Sequence, residues 1–217
     1  MRDNWKPELD ESDFCEVAGN RLYIQLVGIL LWIVRLGRVD IAFVISPFSR
    51  FSALPRKTHL DELEKIIGFL EKYPDKRLVV NSQPQTFPGR LLSKSRETMQ
   101  ALYPDAEEEI DPQFPRPMGR PIQTSCWFDS NLAHDQVTRR SIEGYMLYVG
   151  STLVKSKSSR QGAIAASTYG SELRAGRTAT EEALGVRYLL RSLGINLDGP
   201  TILLGDNESS LISVMNP

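Results

Sequence analysis

The chain has 217 residues, of which 41% are hydrophobic and 24% charged, and its formal net charge is −1. This composition is typical of a globular protein and provides no global basic field, so any nucleic-acid binding has to depend on local patches. The two cysteines, Cys15 and Cys126, match no metal-ligand spacing. Their positions argue against a zinc site or a disulfide framework and favour a reducing compartment.

Residues 1–82 are predicted to form a mainly helical region. Apolar periodicity and helix-stop residues predict three helices, at Arg21–Leu36, Val39–Leu54 and from Thr58, as the N-cap, to about Tyr73. The second helix is expected to be disturbed at Pro47, because proline lacks the amide hydrogen that a helix needs. A short strand is expected over Arg77–Asn81.

The run Leu22–Val34 is the most apolar part of the chain. A membrane span needs about 20 apolar residues, and this run is shorter and is followed at once by charged side chains. A buried helix is therefore favoured over a transmembrane one. The next stretch, residues 83–120, has many prolines, an acidic run and poor periodicity, so it is predicted to be a linker.

Residues 121–217 alternate between strand and helix patterns. Four strands are predicted, at Ile122–Asp129, Ile142–Tyr148, Ser151–Ser156 and Thr201–Leu204. A long helix beginning near Thr168–Ser171 precedes the fourth strand and a second helix follows it, at Asn207–Val214. The buried stripe of the long helix is expected to be Ala179, Ala183, Val186, Leu190 and Leu193. This order of elements predicts an α+β fold with a mixed sheet.

Three acidic residues occupy special positions in these elements. Asp129 lies near the end of the first strand, Glu172 in the first turn of the long helix, and Asp206 at the end of the fourth strand. If the first and fourth strands are neighbours and the helix packs across them, the three carboxylates converge. Converging carboxylates bind Mg²⁺, and two such ions about 4 Å apart can support phosphodiester cleavage. Acids at strand ends and helix N-termini are also common without catalysis, so spacing alone leaves both interpretations open.

Five sequence motifs then occur in order along this region. They are Trp127–Ala133, Arg139–Tyr145, Ser156–Gln161, Ala166–Ala175 and Gly205–Ser209. The series resembles the ribonuclease H domain of copia-type LTR retrotransposon polyproteins. In the helical region, three further motifs resemble the segment that follows the polymerase palm in the same family: Tyr23–Leu31, Arg38–Phe43 and Leu54–His59. The resemblance therefore covers roughly residues 20–82 and 121–217.

The resemblance implies a ribonuclease H-like mixed sheet with helices in residues 121–217, incomplete at the C-terminus. It implies that residues 1–82 are a small helical region like the thumb or connection of a reverse transcriptase. It also implies that Asp129, Glu172 and Asp206 are catalytic, bind Mg²⁺ or Mn²⁺, and hydrolyse the RNA strand of an RNA–DNA hybrid.

Nucleic-acid binding is assigned to three basic residues, Lys155, Lys157 and Arg160. They are expected to contact phosphates, although lysines also commonly protect an exposed sheet edge. The implied partners are the RNA–DNA hybrid and the rest of the reverse transcriptase polyprotein, with no membrane. The implied location is cytoplasmic, in virus-like particles.

The sequence also departs from the family pattern. The Tyr-x-Asp-Asp motif of the polymerase does not occur, which excludes DNA polymerisation by these residues, and Asn131 and Tyr169-Gly170 replace acidic positions. The chain ends at Pro217, before the segment that carries the family's fourth carboxylate, so we expect marginal stability and weak or no activity from the chain alone. Two alternatives stay open: a degenerate remnant that no longer cleaves, and a nucleic-acid- or protein-binding module on the same fold.

Overall fold

The computed structural model describes residues 6–81, 83–87, 97, 100–105 and 108–215. It is an α+β structure with two compact units, each built from separate stretches of the chain. The first unit is Met1–Leu78, Ala133–Ile142 and Lys157–Ile164. The second unit is Val79–Leu132, Glu143–Ser156 and Ala165–Pro217. The three continuous regions expected from the sequence stay a prediction.

The first unit is built on three helices. They are α1 Val17–Arg35, α2 Ala42–Phe48 and α3 Lys57–Lys72. The single helix predicted over residues 39–54 is wrong in detail, because short 3₁₀ turns at Val39–Ile41 and Ser49–Phe51 flank α2. Pro47 lies in the last turn of α2, where its missing amide hydrogen cannot support a longer helix.

The core of the first unit lies between these helices. It contains the buried side chains Tyr23, Val27, Leu30, Ile41, Ile45, Phe48, Leu63 and Ile66. Tyr23 satisfies its buried hydroxyl by donating to the carbonyl of Phe48 at 2.7 Å. The prediction that Thr58 is the N-cap of α3 is wrong. Arg56 takes that position, and its amide donates to Nδ1 of His59 at 3.2 Å.

Helix α1 has an exposed apolar face as well as a buried one. Leu22, Ile29 and Trp32 are exposed, and only 17% of its most apolar window is buried. Among the described residues, it is the one helix long and apolar enough to cross a membrane by length and composition. This is weak evidence for a span, since core helices of soluble proteins have the same length and composition.

A four-stranded sheet lies mainly in the second unit. Its strands are β2 Thr124–Asn131, β3 Ile142–Val149, β4 Thr152–Arg160 and β6 Ile202–Leu204, which lie in the order β4-β3-β2-β6. Strands β2 and β6 run parallel, with Cys126 opposite Leu203 and Trp127 opposite Leu204. Two residues connect β3 to β4, and so short a connection joins only antiparallel strands. The prediction of a mixed sheet is confirmed.

Two features of the strands differ from the prediction. A separate parallel pair joins β1 Met118–Ile122 to β5 Ile195–Leu197, and neither strand was expected. The strand predicted at Arg77–Asn81 is absent. Asn81 instead exchanges hydrogen bonds with one side chain, because its amide donates to Oγ1 of Thr152 at 2.7 Å and its carbonyl accepts from that hydroxyl at 2.9 Å.

The long helix α4, Thr168–Ser192, packs against β2, and α5, Glu208–Met215, follows β6. Ala179 and Ala183 are buried against Cys126, Tyr145 and Leu147, and these small side chains allow helix and sheet to approach closely.

The prediction that the buried stripe of α4 extends to Leu193 is wrong. Leu193 is exposed, whereas Arg187 is buried. The Arg187 guanidinium donates to the carboxylate of Glu108 and to the carbonyl of Gly199 at 2.9 Å. These partners satisfy a charge that would otherwise be costly to bury.

Candidate metal centre

The fold brings together the three carboxylates singled out in the sequence. Strand β2 supplies Asp129, the first turns of α4 supply Glu172, and the turn after β6 supplies Asp206. The register of the parallel strands β2 and β6 explains why Asp129 and Asp206 lie close together. Asp129 and Asp206 each come two residues after the paired residues Trp127 and Leu204, so they reach the same end of the sheet.

One carboxylate oxygen from each residue lies within 4.8 Å of the other two. Mg²⁺ binds oxygen at about 2.1 Å, so oxygens on opposite sides of one ion lie about 4.2 Å apart. The three side chains are therefore nearly close enough to share an ion without rearrangement. Within the described ranges, this is the one group of three or more acidic, histidine or cysteine side chains with a spacing suited to a metal.

Glu172 differs from the two aspartates in its surroundings. It is 3% exposed, whereas Asp129 and Asp206 are exposed to solvent. Its Oε1 atom accepts hydrogen bonds from the amide of Ser130 at 3.2 Å and from the hydroxyl of Ser130 at 3.0 Å. Its Oε2 atom is also buried but accepts no hydrogen bond from any residue that the structure describes. A buried polar atom without a partner requires an explanation, and a bound ion is one.

The electrostatics of the group fit the same explanation. Burial raises the pKa of Glu172 above its ordinary value, and the negative charges of Asp129 and Asp206 raise it further. The hydrogen bonds from Ser130 act in the opposite direction and favour the charged form. A divalent cation between the three carboxylates would offset both the burial of Glu172 and the repulsion from its neighbours.

A close contact beside the aspartates sets the position of the turn after β6. Phe128 packs its ring against Gly205 and Gly176, which leave room for it. A Cβ atom at Gly205 would lie 2.6 Å from the Phe128 ring, which is closer than Cβ atoms approach other atoms in proteins, so the ring or the backbone would have to move. Phe128 precedes Asp129 and Gly205 precedes Asp206, so this contact joins the two backbone segments that carry the aspartates.

Sequence reasoning missed Ser130, Phe128 and Gly205 as residues of this centre. Ser130 was only the residue after a candidate ligand, and its role depends on a helix that begins 38 residues later in the chain. The glycine directly before Asp206 was the available signal, because a glycine at a strand end often marks a close approach of backbone to another group.

The three predicted nucleic-acid-binding residues all lie on β4. Lys155 is exposed in the second unit and forms an ion pair with Glu182 of α4. Lys157 and Arg160 belong to the first unit. Arg160 donates to the buried carboxylate of Asp135 at 2.8 Å, so part of its guanidinium is already occupied. Their contact with phosphates stays a prediction.

Asp135 is another buried acid that the sequence did not indicate. It is 2% exposed and also forms an ion pair with Arg50. Burial alone would raise its pKa, but the hydrogen bonds from Thr138 and the guanidinium groups of Arg160 and Arg50 hold that pKa well below its ordinary value. The two guanidinium groups already neutralise the Asp135 carboxylate, so this residue has a structural role in the first unit and is not a candidate metal ligand.

The chain has relatives of low identity among known proteins. It is 23% identical over 195 residues to the retrovirus-related Pol polyprotein from transposon RE1 of Arabidopsis thaliana, which covers 90% of the chain. It is 22% identical, over the same coverage, to the corresponding polyprotein from transposon RE2. The chain spans 11% of the length of each of these relatives. No protein-family model and no solved structure matches it. The chain is therefore similar, at low identity, to one stretch of retrovirus-related Pol polyproteins from transposons.

Proposed function

We propose that this chain is a segment of a retrotransposon polyprotein and that residues 121–217 form a ribonuclease H-like domain. In this proposal, Asp129, Glu172 and Asp206 hold Mg²⁺ or Mn²⁺ and hydrolyse the RNA strand of an RNA–DNA hybrid. The observation that carries the proposal is the convergence of three carboxylates, within 4.8 Å, around a buried Glu172 that has an unpartnered oxygen. The similarity to Pol polyproteins from transposons supports the same context.

The arrangement of two exposed carboxylates and one buried carboxylate suits a phosphodiester substrate. Asp129 and Asp206 face solvent, so a phosphate of a bound duplex can approach the site from their side. Glu172 lies behind them, held by Ser130, where it can keep a cation in place without being displaced by water. A divalent cation, when bound, activates the attacking water and stabilises the leaving oxygen.

The sheet arrangement is compatible with the proposed fold. A mixed four-stranded sheet carries one long helix across β2, and its parallel pair β2 and β6 delivers two of the acids. The remaining parts of the proposal come from the resemblance. They are binding of the hybrid through Lys155, Lys157 and Arg160, association with the rest of the polyprotein, and location in cytoplasmic virus-like particles.

Cleavage of a labelled hybrid tests the function directly. The full chain is incubated with an RNA–DNA hybrid, an RNA duplex and a DNA duplex, with Mn²⁺, with Mg²⁺ and with EDTA. We expect slow, metal-dependent cleavage of the RNA strand of the hybrid alone. Asp129→Asn should remove that activity, because it deletes a charged ligand and keeps the shape of the side chain.

Asp198→Asn is the matched control, since Asp198 is an exposed aspartate of the second unit outside the carboxylate group. It should cleave as fast as the unaltered chain. Absence of any cleavage by the unaltered chain would show that these residues do not cleave the hybrid by themselves and would favour a degenerate remnant. Equal cleavage by Asp129→Asn would assign the activity to another site or to a contaminating nuclease.

A further inference from the structure

Ser130 lies between the carboxylate group and the long helix. It follows Asp129 on β2, and successive side chains of a strand point to opposite faces of the sheet. Asp129 is exposed, whereas Ser130 is 8% exposed and contacts the start of α4. One residue of β2 therefore offers a carboxylate to the site while the next one holds the helix that carries Glu172.

Both hydrogen-bond donors of Ser130 are directed at the same atom. Its amide lies 3.2 Å and its hydroxyl 3.0 Å from Oε1 of Glu172. The hydroxyl also lies 2.9 Å from Oγ of Ser171. Ser171 donates its own hydrogen to the carbonyl of Thr168 at 2.9 Å, so the single hydroxyl hydrogen of Ser130 lies between Oε1 of Glu172 and Oγ of Ser171. The carboxylate oxygen is the stronger acceptor of the two and draws that hydrogen toward Glu172. Two donors from one rigid strand residue fix both the position and the rotation of this carboxylate.

The two oxygens of Glu172 are consequently unequal. Oε1 has two donors, whereas Oε2 is buried and has no hydrogen-bond partner among the residues that the structure describes. We propose that Ser130 is a positioning residue for the metal site, because it fixes Oε1 and thereby presents Oε2 to the ion shared with Asp129 and Asp206. This inference rests on the proposed function, since it assigns a ligand atom within the same site.

Removing a group that orients a metal ligand typically weakens metal affinity by about 10–100-fold. Ser130→Ala removes the hydroxyl donor and keeps the amide donor, so we expect a loss of about tenfold. Ser130→Thr keeps the hydroxyl on a residue well suited to a strand and should retain most of the affinity. Ser125→Ala is the matched control, because it removes another buried serine hydroxyl from β2, one that donates to Gln85 and not to Glu172.

The experiment is a titration of the full chain with Mn²⁺ alone, in which free Mn²⁺ is followed by electron paramagnetic resonance. The unaltered chain is compared with Ser130→Ala, Ser130→Thr, Ser125→Ala and Glu172→Gln, at a temperature where circular dichroism shows all of them to be folded. The expected result is a weaker affinity for Ser130→Ala that Ser130→Thr restores. Ser125→Ala should bind Mn²⁺ like the unaltered chain.

Failure of this inference differs from failure of the proposed function. If Glu172→Gln loses Mn²⁺ but Ser130→Ala binds it as well as the unaltered chain, the positioning role is wrong and the metal site stands. If Ser125→Ala weakens binding as much as Ser130→Ala, the loss reflects general packing and the positioning role is again wrong. If the unaltered chain binds no Mn²⁺, or Glu172→Gln binds it equally well, the proposed site is wrong and the inference with it.

Discussion

Replacing Asp129 with asparagine should make the metal-free protein more stable. One oxygen of Asp129 lies within 4.8 Å of oxygens of Glu172 and Asp206. Two unit charges at that separation repel each other by about 0.9 kcal/mol in a medium with the dielectric constant of water, and by more where solvent is excluded. The substitution removes two such repulsions, so after screening by salt we expect a gain of about 1 kcal/mol. For a chain of this size, that gain corresponds to a rise in Tm of about 2–4 °C.

The assay is thermal unfolding followed by circular dichroism, in EDTA and then in Mg²⁺. A ligand at ten times its Kd stabilises the folded state by about 1.4 kcal/mol, so Mg²⁺ should raise the Tm of the unaltered chain and reverse the order of the two proteins. Asp198→Asn serves as the control and should show neither effect. A lower Tm for Asp129→Asn in EDTA, or an equal effect of Mg²⁺ on both proteins, would refute the reasoning.

Three further predictions concern other parts of the structure. Gly205→Ala should lower the Tm and weaken Mn²⁺ binding, because its Cβ would lie 2.6 Å from the ring of Phe128, and Phe128→Leu in the same chain should restore part of both. The stability of the first unit should fall as the pH drops below about 6.5, measured by urea unfolding, because burial lowers the pKa of His59 and the unfolded state then binds more protons. Asp135→Asn should destabilise the protein by about 2–4 kcal/mol in the same urea assay, since its two arginine partners lose the negatively charged carboxylate that they share.

Each of these three predictions has a clear contrary result. An unchanged Tm for Gly205→Ala would mean that the contact with Phe128 is not required. A free energy of unfolding that stays constant between pH 7 and pH 5, or that rises as the pH drops, would contradict the claim that burial favours the neutral form of His59. A loss below about 0.5 kcal/mol for Asp135→Asn would place that ion pair among the weak surface pairs.

Much of the second unit could be predicted, because its elements follow from local patterns. Alternating apolar residues indicated β2, β3 and β4, and apolar residues at helical spacing indicated α4. The neighbouring positions of the first and fourth predicted strands were stated only as a condition, and the parallel pairing of β2 with β6 meets it. That pairing brings the aspartates together, so the site depends on one non-local contact that local patterns do not predict.

The features that sequence reasoning missed all depend on distant partners. Arg187 is charged and is absent from the predicted stripe, yet Glu108, 79 residues earlier, makes its burial possible. The importance of Ser130 depends on Glu172, and that of Gly205 depends on Phe128. Residues 77–81 have a strand-like composition, but side-chain hydrogen bonds to Asn81 replace a ladder. Periodicity describes which face of an element is apolar, and it does not identify which polar partner will arrive there.

The most direct test of the account is a crystal structure of the chain grown with Mn²⁺, with anomalous diffraction used to locate the ion. The account predicts an anomalous peak within coordination distance of Asp129, Glu172 and Asp206, about 2.1–2.2 Å from Oε2 of Glu172 and not from Oε1. No peak at the three carboxylates, or a peak held only by other residues, would contradict the claim that they form a metal centre.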